Sequence, residues 1–213
     1  MTANGRMGGK ILADGLKAQG VDAIFGVPGE SFLALLDGLY DQRDTIRFIT
    51  CRQEGGAANM AEAYGKLTGR PGVCVVTRGP GATNASVGLH TAFQDSTPMI
   101  LLVGQVGREM LDREAFQEVN HQIFFSEMSK WSAEIKDASR IPEYLSHAFH
   151  VALSGRPGPV VLSLPEDMLR DVAVVEDAPR AITAQPAPTM EQMSEVREML
   201  KNAERPLMIL GGS

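Results

Sequence analysis

Short apolar runs with no internal alternation recur along this chain, and stretches with helical spacing separate them. The runs are 22–27, 47–50, 72–77, 99–103 and 160–164, with a sixth at 131–135. A strand with one wet face alternates apolar and polar residues. These runs do not, so each is expected to be covered on both sides. Between them, Phe32, Leu35, Leu36 and Leu39 fall at helical spacing, as do Ala57, Met60, Ala61, Tyr64 and Leu67. Ala85, Leu89, Ala92 and Phe93 make a third such set, and Ile141, Tyr144, Leu145, Ala148, Phe149 and Ala152 a fourth. A further amphipathic helix covers 10–19 and stops at Gly20. The pattern predicts an α/β fold: an open parallel sheet of about six strands with helices on both faces. Residues 104–128 have no clean period and read mostly as loop with a short helix.

The chain has 213 residues, enough for one sizeable core and part of another domain. We expect a first domain over 8–171 and a linker over 172–189, where Pro179, Pro186 and Pro188 interrupt any periodicity. From 190 a new helix begins, with Met193 and Met199 expected to face a core. The apolar run 206–210 and Gly211, Gly212 and Ser213 then read as the opening strand and turn of a second, truncated α/β domain. Formal net charge is −6 and aromatic content 6%, which argues against a nucleic-acid surface. No apolar run is long enough to cross a bilayer, and the polar start has no signal-peptide core. Cys51 and Cys74 stand alone in or beside strands, as expected of buried thiols in a reducing, cytoplasmic setting.

In a parallel sheet the strand ends share one edge, and that edge binds ligands. Four ends carry the candidate chemistry: Val27, Pro28 and Gly29; Glu54; Thr77 through Asn84; and Gly104 and Gln105. Glu54 stands where a strand hands over to a helix whose first residues, Gly55, Gly56, Ala57 and Ala58, leave room for a ligand or another backbone. By position alone it reads first as a helix-capping acid. Gly79-x-Gly81-x-x-Asn84 approximates a dinucleotide fingerprint, but lacks the third glycine and the later acidic residue. His147 and His150 share a helix face without further ligands, and suit a surface or partly packed pair better than a metal site.

Seven ordered blocks carry a resemblance. They are Phe25-Gly26-Val27-Pro28-Gly29, Gln53-Glu54-Gly55-Gly56-Ala57, the stretch 77–84, Gln94-Asp95-Ser96-Thr97-Pro98, Gly104-Gln105-Val106, Ala115-Phe116-Gln117-Glu118 and the stretch 154–160. In this order they resemble the N-terminal, pyrimidine-binding domain of thiamine-diphosphate enzymes, closest to the acetolactate synthase branch.

The resemblance implies that the whole protein is a carboligase or decarboxylase acting on 2-keto acids. Glu54 would hydrogen-bond the aminopyrimidine ring and drive deprotonation of the thiazolium carbon that attacks the keto acid. Val27, Pro28, Gly29, Thr77, Pro80 and Asn84 would line the pyrimidine site. Phe116 and Gln117 match positions near the reacting end of the cofactor, making Glu54 and Gln117 the catalytic candidates. Arg156 matches an arginine that touches FAD in members that carry it. Magnesium and the diphosphate belong to a C-terminal domain, whose Gly-Asp-Gly motif this chain lacks, so the 213 residues alone are expected to be inactive. A homodimer or homotetramer is expected, with no nucleic-acid or membrane partner. The chain departs from the family pattern at Val27, Glu30, Gln53, Gly55, Arg78 and Glu166. Glu166 reverses the charge of a family lysine near the substrate channel. Two other readings of the residues stand beside this one: a nucleotide-binding module built on 79–84, and a silent assembly domain.

Overall fold

The structure, a computed structural model, describes residues 5–184, 186–209 and 211. The chain divides into two compact units, Met1–Ile182 and Thr183–Ser213. In chain order the first contains β1 (Arg6–Met7), α1 (Gly8–Ala18), β2 (Ala23–Gly26), α2 (Leu33–Asp41), β3 (Arg47–Thr50), α3 (Glu54–Thr68) and β4 (Gly72–Val76). It continues through α4 (Gly79–Gln94), β5 (Met99–Gln105), α5 (His121–Phe124), β6 (Trp131–Glu134), α6 (Ile141–Leu153), β7 (Pro159–Pro165) and β8 (Val172–Ala173).

Six strands form one all-parallel sheet in the order β3-β2-β4-β5-β7-β6. Alternate residues of the central strands feed two cores. Val73, Val75, Ile100, Leu102, Val160 and Leu162 meet α1, α2 and α6 on one face. Cys74, Val76, Leu101, Val103 and Val161 meet α3, α4 and Phe125 of the segment after α5 on the other. This double covering is why the strands read as unbroken apolar runs. The α/β fold with its parallel sheet of six strands is as the sequence predicts.

Several local readings change. Ala57 and Ala61 are buried, but Met60 and Leu67 of the same helix are exposed: apart from Glu62, α3 buries only glycine and alanine where it packs on α4 and the sheet. Cys74 is buried and Cys51 half-buried; both are free. Within the stretch expected as linker, β8 pairs antiparallel with β1. Val175 and Ala181 pack against the first core, and Arg6 bonds Asp177 at 2.9 Å. These contacts and partly buried side chains tie residues 172–181 to the first core.

The second unit holds α7 (Met190–Asn202), opened by a capping box of Thr189 and Gln192. Its Met193, Val196, Met199 and Leu200 are all exposed, so Met193 and Met199 do not face a core. Residues 206–209 form no strand, since no neighbouring strand pairs with them among the described residues. Leu210, Gly212 and Ser213 lie outside the described residues.

Candidate active site

Strand order and helix side together fix a crevice. β2 leads into α2 on one face, whereas its neighbour β4 leads into α4 on the other. The carboxyl ends of two adjacent strands whose chains part in this way are the usual ligand position of an open α/β sheet. Thr77 Oγ1 and Ser31 Oγ lie 2.9 Å apart across this point. Val27 and Gly29 are half-buried beside it and Pro28 is exposed.

Glu54 opens α3 at the same edge. The side chain of Gln53 caps this helix by accepting from the Gly56 N–H at 2.8 Å, so Glu54 is not needed as the cap. Glu54 is half-buried, and its Oε2 accepts from Asn84 Nδ2 of α4 at 3.1 Å. The contact depends on how closely α3 and α4 approach. A Cβ at Gly88 would sit 2.6 Å from Ala58 Cβ, and one at Gly55 would sit 3.1 Å from the Asn84 carbonyl. Only glycine admits such an approach. The result is one carboxyl whose Oε2 has an amide partner and whose Oε1 has no hydrogen-bond partner among the described residues.

The loop after β5 reaches the same turn. Gln117, at φ 63°, offers its carbonyl to the Gly79 N–H at 2.9 Å. Glu118 holds the loop by accepting from the backbone N–H groups of Asp112 (2.7 Å) and Ala115 (3.1 Å), and these bonds keep its pKa low. Phe116 is 72% exposed at its tip and Pro80 is exposed beside the turn. Because Gly79 is engaged, the first amide of the 79–84 turn is not free for a phosphate.

Arg156 lies apart. It precedes β7, and its Nε donates to Ser96 Oγ at 2.6 Å and its Nη2 to the Gln94 carbonyl at 3.0 Å. It therefore closes the C-terminal end of α4, at the sheet edge opposite Glu54. The structure brings Val27, Pro28, Gly29, Glu54, Thr77, Pro80, Asn84, Phe116 and Gln117 to one edge, and not Arg156.

Two polar clusters escaped the sequence reading as clusters. Arg78, buried at the end of β4, bonds Glu30 and Glu166, each at 2.8 Å. All three are positions where the sequence departs from the family pattern, and that shared departure was the available signal. Farther along the edge, His121 Nδ1 lies 2.9 Å from Ser163 Oγ, which also donates to Glu134 Oε2 at 3.5 Å. Burial lowers the His121 pKa to about 4 and raises that of Glu134. No spacing in the sequence joins these three. Among the described residues no group of three or more His, Cys, Asp or Glu side chains is placed to hold a metal, and no helix is long and apolar enough to cross a membrane.

Comparison with known proteins adds the family. A family model described as "Thiamine pyrophosphate enzyme, N-terminal TPP binding domain" matches residues 6–124. The chain belongs to this family. The matched span carries Glu54, Asn84, Phe116 and Gln117; Arg156 and β7 fall outside it. Among curated members, the acetolactate synthase of Arthrospira platensis is 37% identical over 213 residues, covering 96% of this chain and 37% of that protein. The acetolactate synthase isozyme 2 large subunit of Escherichia coli K12 is 36% identical over 207 residues, covering 96% and 37%. The mitochondrial acetolactate synthase catalytic subunit of Saccharomyces cerevisiae is 33% identical over 218 residues, covering 97% and 32%. The chain thus spans about a third of the length of the curated relatives it matches.

Proposed function

We propose that this chain is the cofactor-activating part of a thiamine-diphosphate-dependent enzyme that decarboxylates a 2-keto acid and transfers the remaining acyl unit. The observation that carries the reading is Glu54: half-buried, held through one oxygen by Asn84, at the carboxyl edge beside the β2/β4 switch point. This donor set suits an aminopyrimidine, since Oε1 is left to share a proton with a ring nitrogen and the chain turns nearby at Val27, Pro28 and Gly29. When bound, thiamine diphosphate supplies the electron sink for loss of carbon dioxide. Glu54 holds and returns the proton at the pyrimidine nitrogen. Asn84 orients its carboxyl group. Phe116 and Gln117, presented by the Glu118-braced loop, exclude water from the reacting end.

We assign the diphosphate and its magnesium to residues outside this chain. The stretch 172–189 then leads to a further domain that begins near 190. We also infer a homodimer or homotetramer in a cytoplasmic setting, in line with two unbridged cysteines. Any FAD contact by Arg156 would form a site distinct from the Glu54 crevice. The test is made on the full-length protein with thiamine diphosphate and magnesium. Carbon dioxide release from small 2-keto acids is expected, and it must depend on both additions. Its absence across a panel of 2-keto acids would overturn the reading.

A further inference from the structure

The switch point is crossed by an ion triad with a buried arginine at its centre. Arg78 follows β4 and is 7% exposed. One end of its guanidinium donates to Glu30 beyond β2 and the other to Glu166 beyond β7, each at 2.8 Å. Its Nε–H is buried without a partner among the described residues. Both terminal nitrogens of the fork are therefore used by protein carboxylates, and two negative charges face one positive charge. The neighbouring guanidinium is used in the same way: Arg108 bonds Asp167 at 2.8 Å and Asp171 at 2.6 Å. Four carboxylates meet two guanidinium groups around the ends of β2, β4 and β7, so this part of the edge is net negative. A carboxylate brought here finds no free guanidinium among those two and meets an opposing field.

We propose that the triad of Arg78, Glu30 and Glu166 is a specificity device: it selects an uncharged carbonyl compound, such as an aldehyde, as the acyl acceptor and disfavours a second 2-keto acid. The inference rests on the thiamine-diphosphate reading above and names the substrate class of that site. The donor 2-keto acid loses its carboxylate as carbon dioxide. Its acyl carbon bonds to the acceptor's carbonyl carbon, and the acceptor oxygen takes up one proton to become a hydroxyl. Both substrates meet the same field, but the donor must carry a carboxylate in order to be decarboxylated, whereas the acceptor need not. Arg78 precedes the first turn of α4 and Asn84 lies on the same helix, so the backbones of these two residues stand roughly 9 Å apart by helix rise. One unit charge at about that distance, at an effective dielectric constant near 20, changes the relative preference for an anion by about tenfold.

The experiment uses the full-length enzyme with thiamine diphosphate, magnesium and one small 2-keto acid donor. Carbon dioxide release and product formation are measured with a neutral aldehyde and with a second 2-keto acid of equal chain length. The wild type is expected to favour the aldehyde in kcat/KM by about tenfold or more. Glu166→Gln and, separately, Glu30→Gln are expected to reduce that ratio by up to about tenfold. Glu30 is mostly exposed, so its variant keeps the test alive if Glu166→Gln folds poorly. Preference of the wild type for the keto-acid acceptor, or an unchanged ratio in the folded variants, overturns the proposal and leaves the thiamine-diphosphate reading standing. No carbon dioxide from the donor in any form overturns both.

Discussion

The carboxyl edge of the sheet has two halves that handle polar side chains in opposite ways. At the β2, β3 and β4 end, Glu54 and Asn84 meet at the rim, where water and a ligand can reach them. At the β5, β7 and β6 end, His121 and Ser163 are sealed in, only 2% and 1% exposed, with Glu134 beside them. The sealed half holds His121, pushed to about 4, and Glu134, pushed upward. Cys74, inside the sheet, is pushed upward by burial as well. Depth below the surface explains these shifts without any ligand. The difference teaches that these three displaced pKa values mark distance from water, and that a group has to stand at the rim to exchange a proton with a ligand.

That contrast breaks if the rim carboxyl is dispensable. In the full-length enzyme, Glu54→Gln is expected to lower kcat by about a hundredfold to ten-thousandfold, the range for a lost general acid–base group. The melting temperature of the variant chain should stay close to wild type, because Gln53 and not Glu54 caps α3. Turnover within a few-fold of wild type would move the chemistry elsewhere on the edge.

The sealed half makes its own prediction, in stability. His121 is buried neutral, and its pKa falls from 6.5 to about 4 on folding. Between those values the unfolded chain binds more protons, so stability falls as pH drops through that window. At about pH 4 the loss approaches 3 kcal/mol for this group alone. Glu134, with its raised pKa, works in the opposite direction and reduces the net effect. Denaturant melts at about pH 7 and pH 4.5 should show a smaller difference for His121→Gln than for wild type. An identical difference in both would mean that His121 is not sealed.

How legible this was depends on what each part rests on. The sheet was readable because unbroken apolar runs such as 72–76 and 99–103 have one stable use, with helices on both sides. Glu54 was readable because it stands at a strand–helix junction. What could not be read was partnership across the edge. Arg78 reaches Glu166 over 88 residues and His121 reaches Ser163 over 42, and no local period encodes either distance. Arg156 sat in a recognisable block, yet only strand direction reveals that it points to the far edge. The second unit misled for a related reason: Met193 and Met199 have core spacing, but a face is buried only when another layer is present to cover it.

Helix approach links sequence to the rim site, and a smaller effect tests it. Gly88→Ala forces a methyl group against the Ala58 side chain and the Asn59 backbone. Overpacking of this kind costs about 1–3 kcal/mol. Because the strain separates α3 from α4, activity of the full-length enzyme should fall further than stability alone accounts for. Equal loss in Gly88→Ala and in an equally destabilised variant far from the edge would show that the approach serves packing only.

The smallest effect is the most specific. Asn84 is exposed, and its amide donates a single hydrogen bond to the Glu54 carboxyl group. Such a bond is worth about 0.5–1.5 kcal/mol, or roughly twofold to tenfold in rate if it acts only on orientation. Asn84→Ala should therefore lower kcat within that range and leave the melting temperature unchanged. Asn84→Asp places a second carboxyl group where the amide was, and a like charge at that distance favours protonation of the pair. The acid limb of the kcat profile should then move to higher pH in Asn84→Asp and stay in place in Asn84→Ala. A shift in neither variant, with rates intact, would mean that the contact between these helices has no part in positioning the proton, and that Glu54 works without its neighbour.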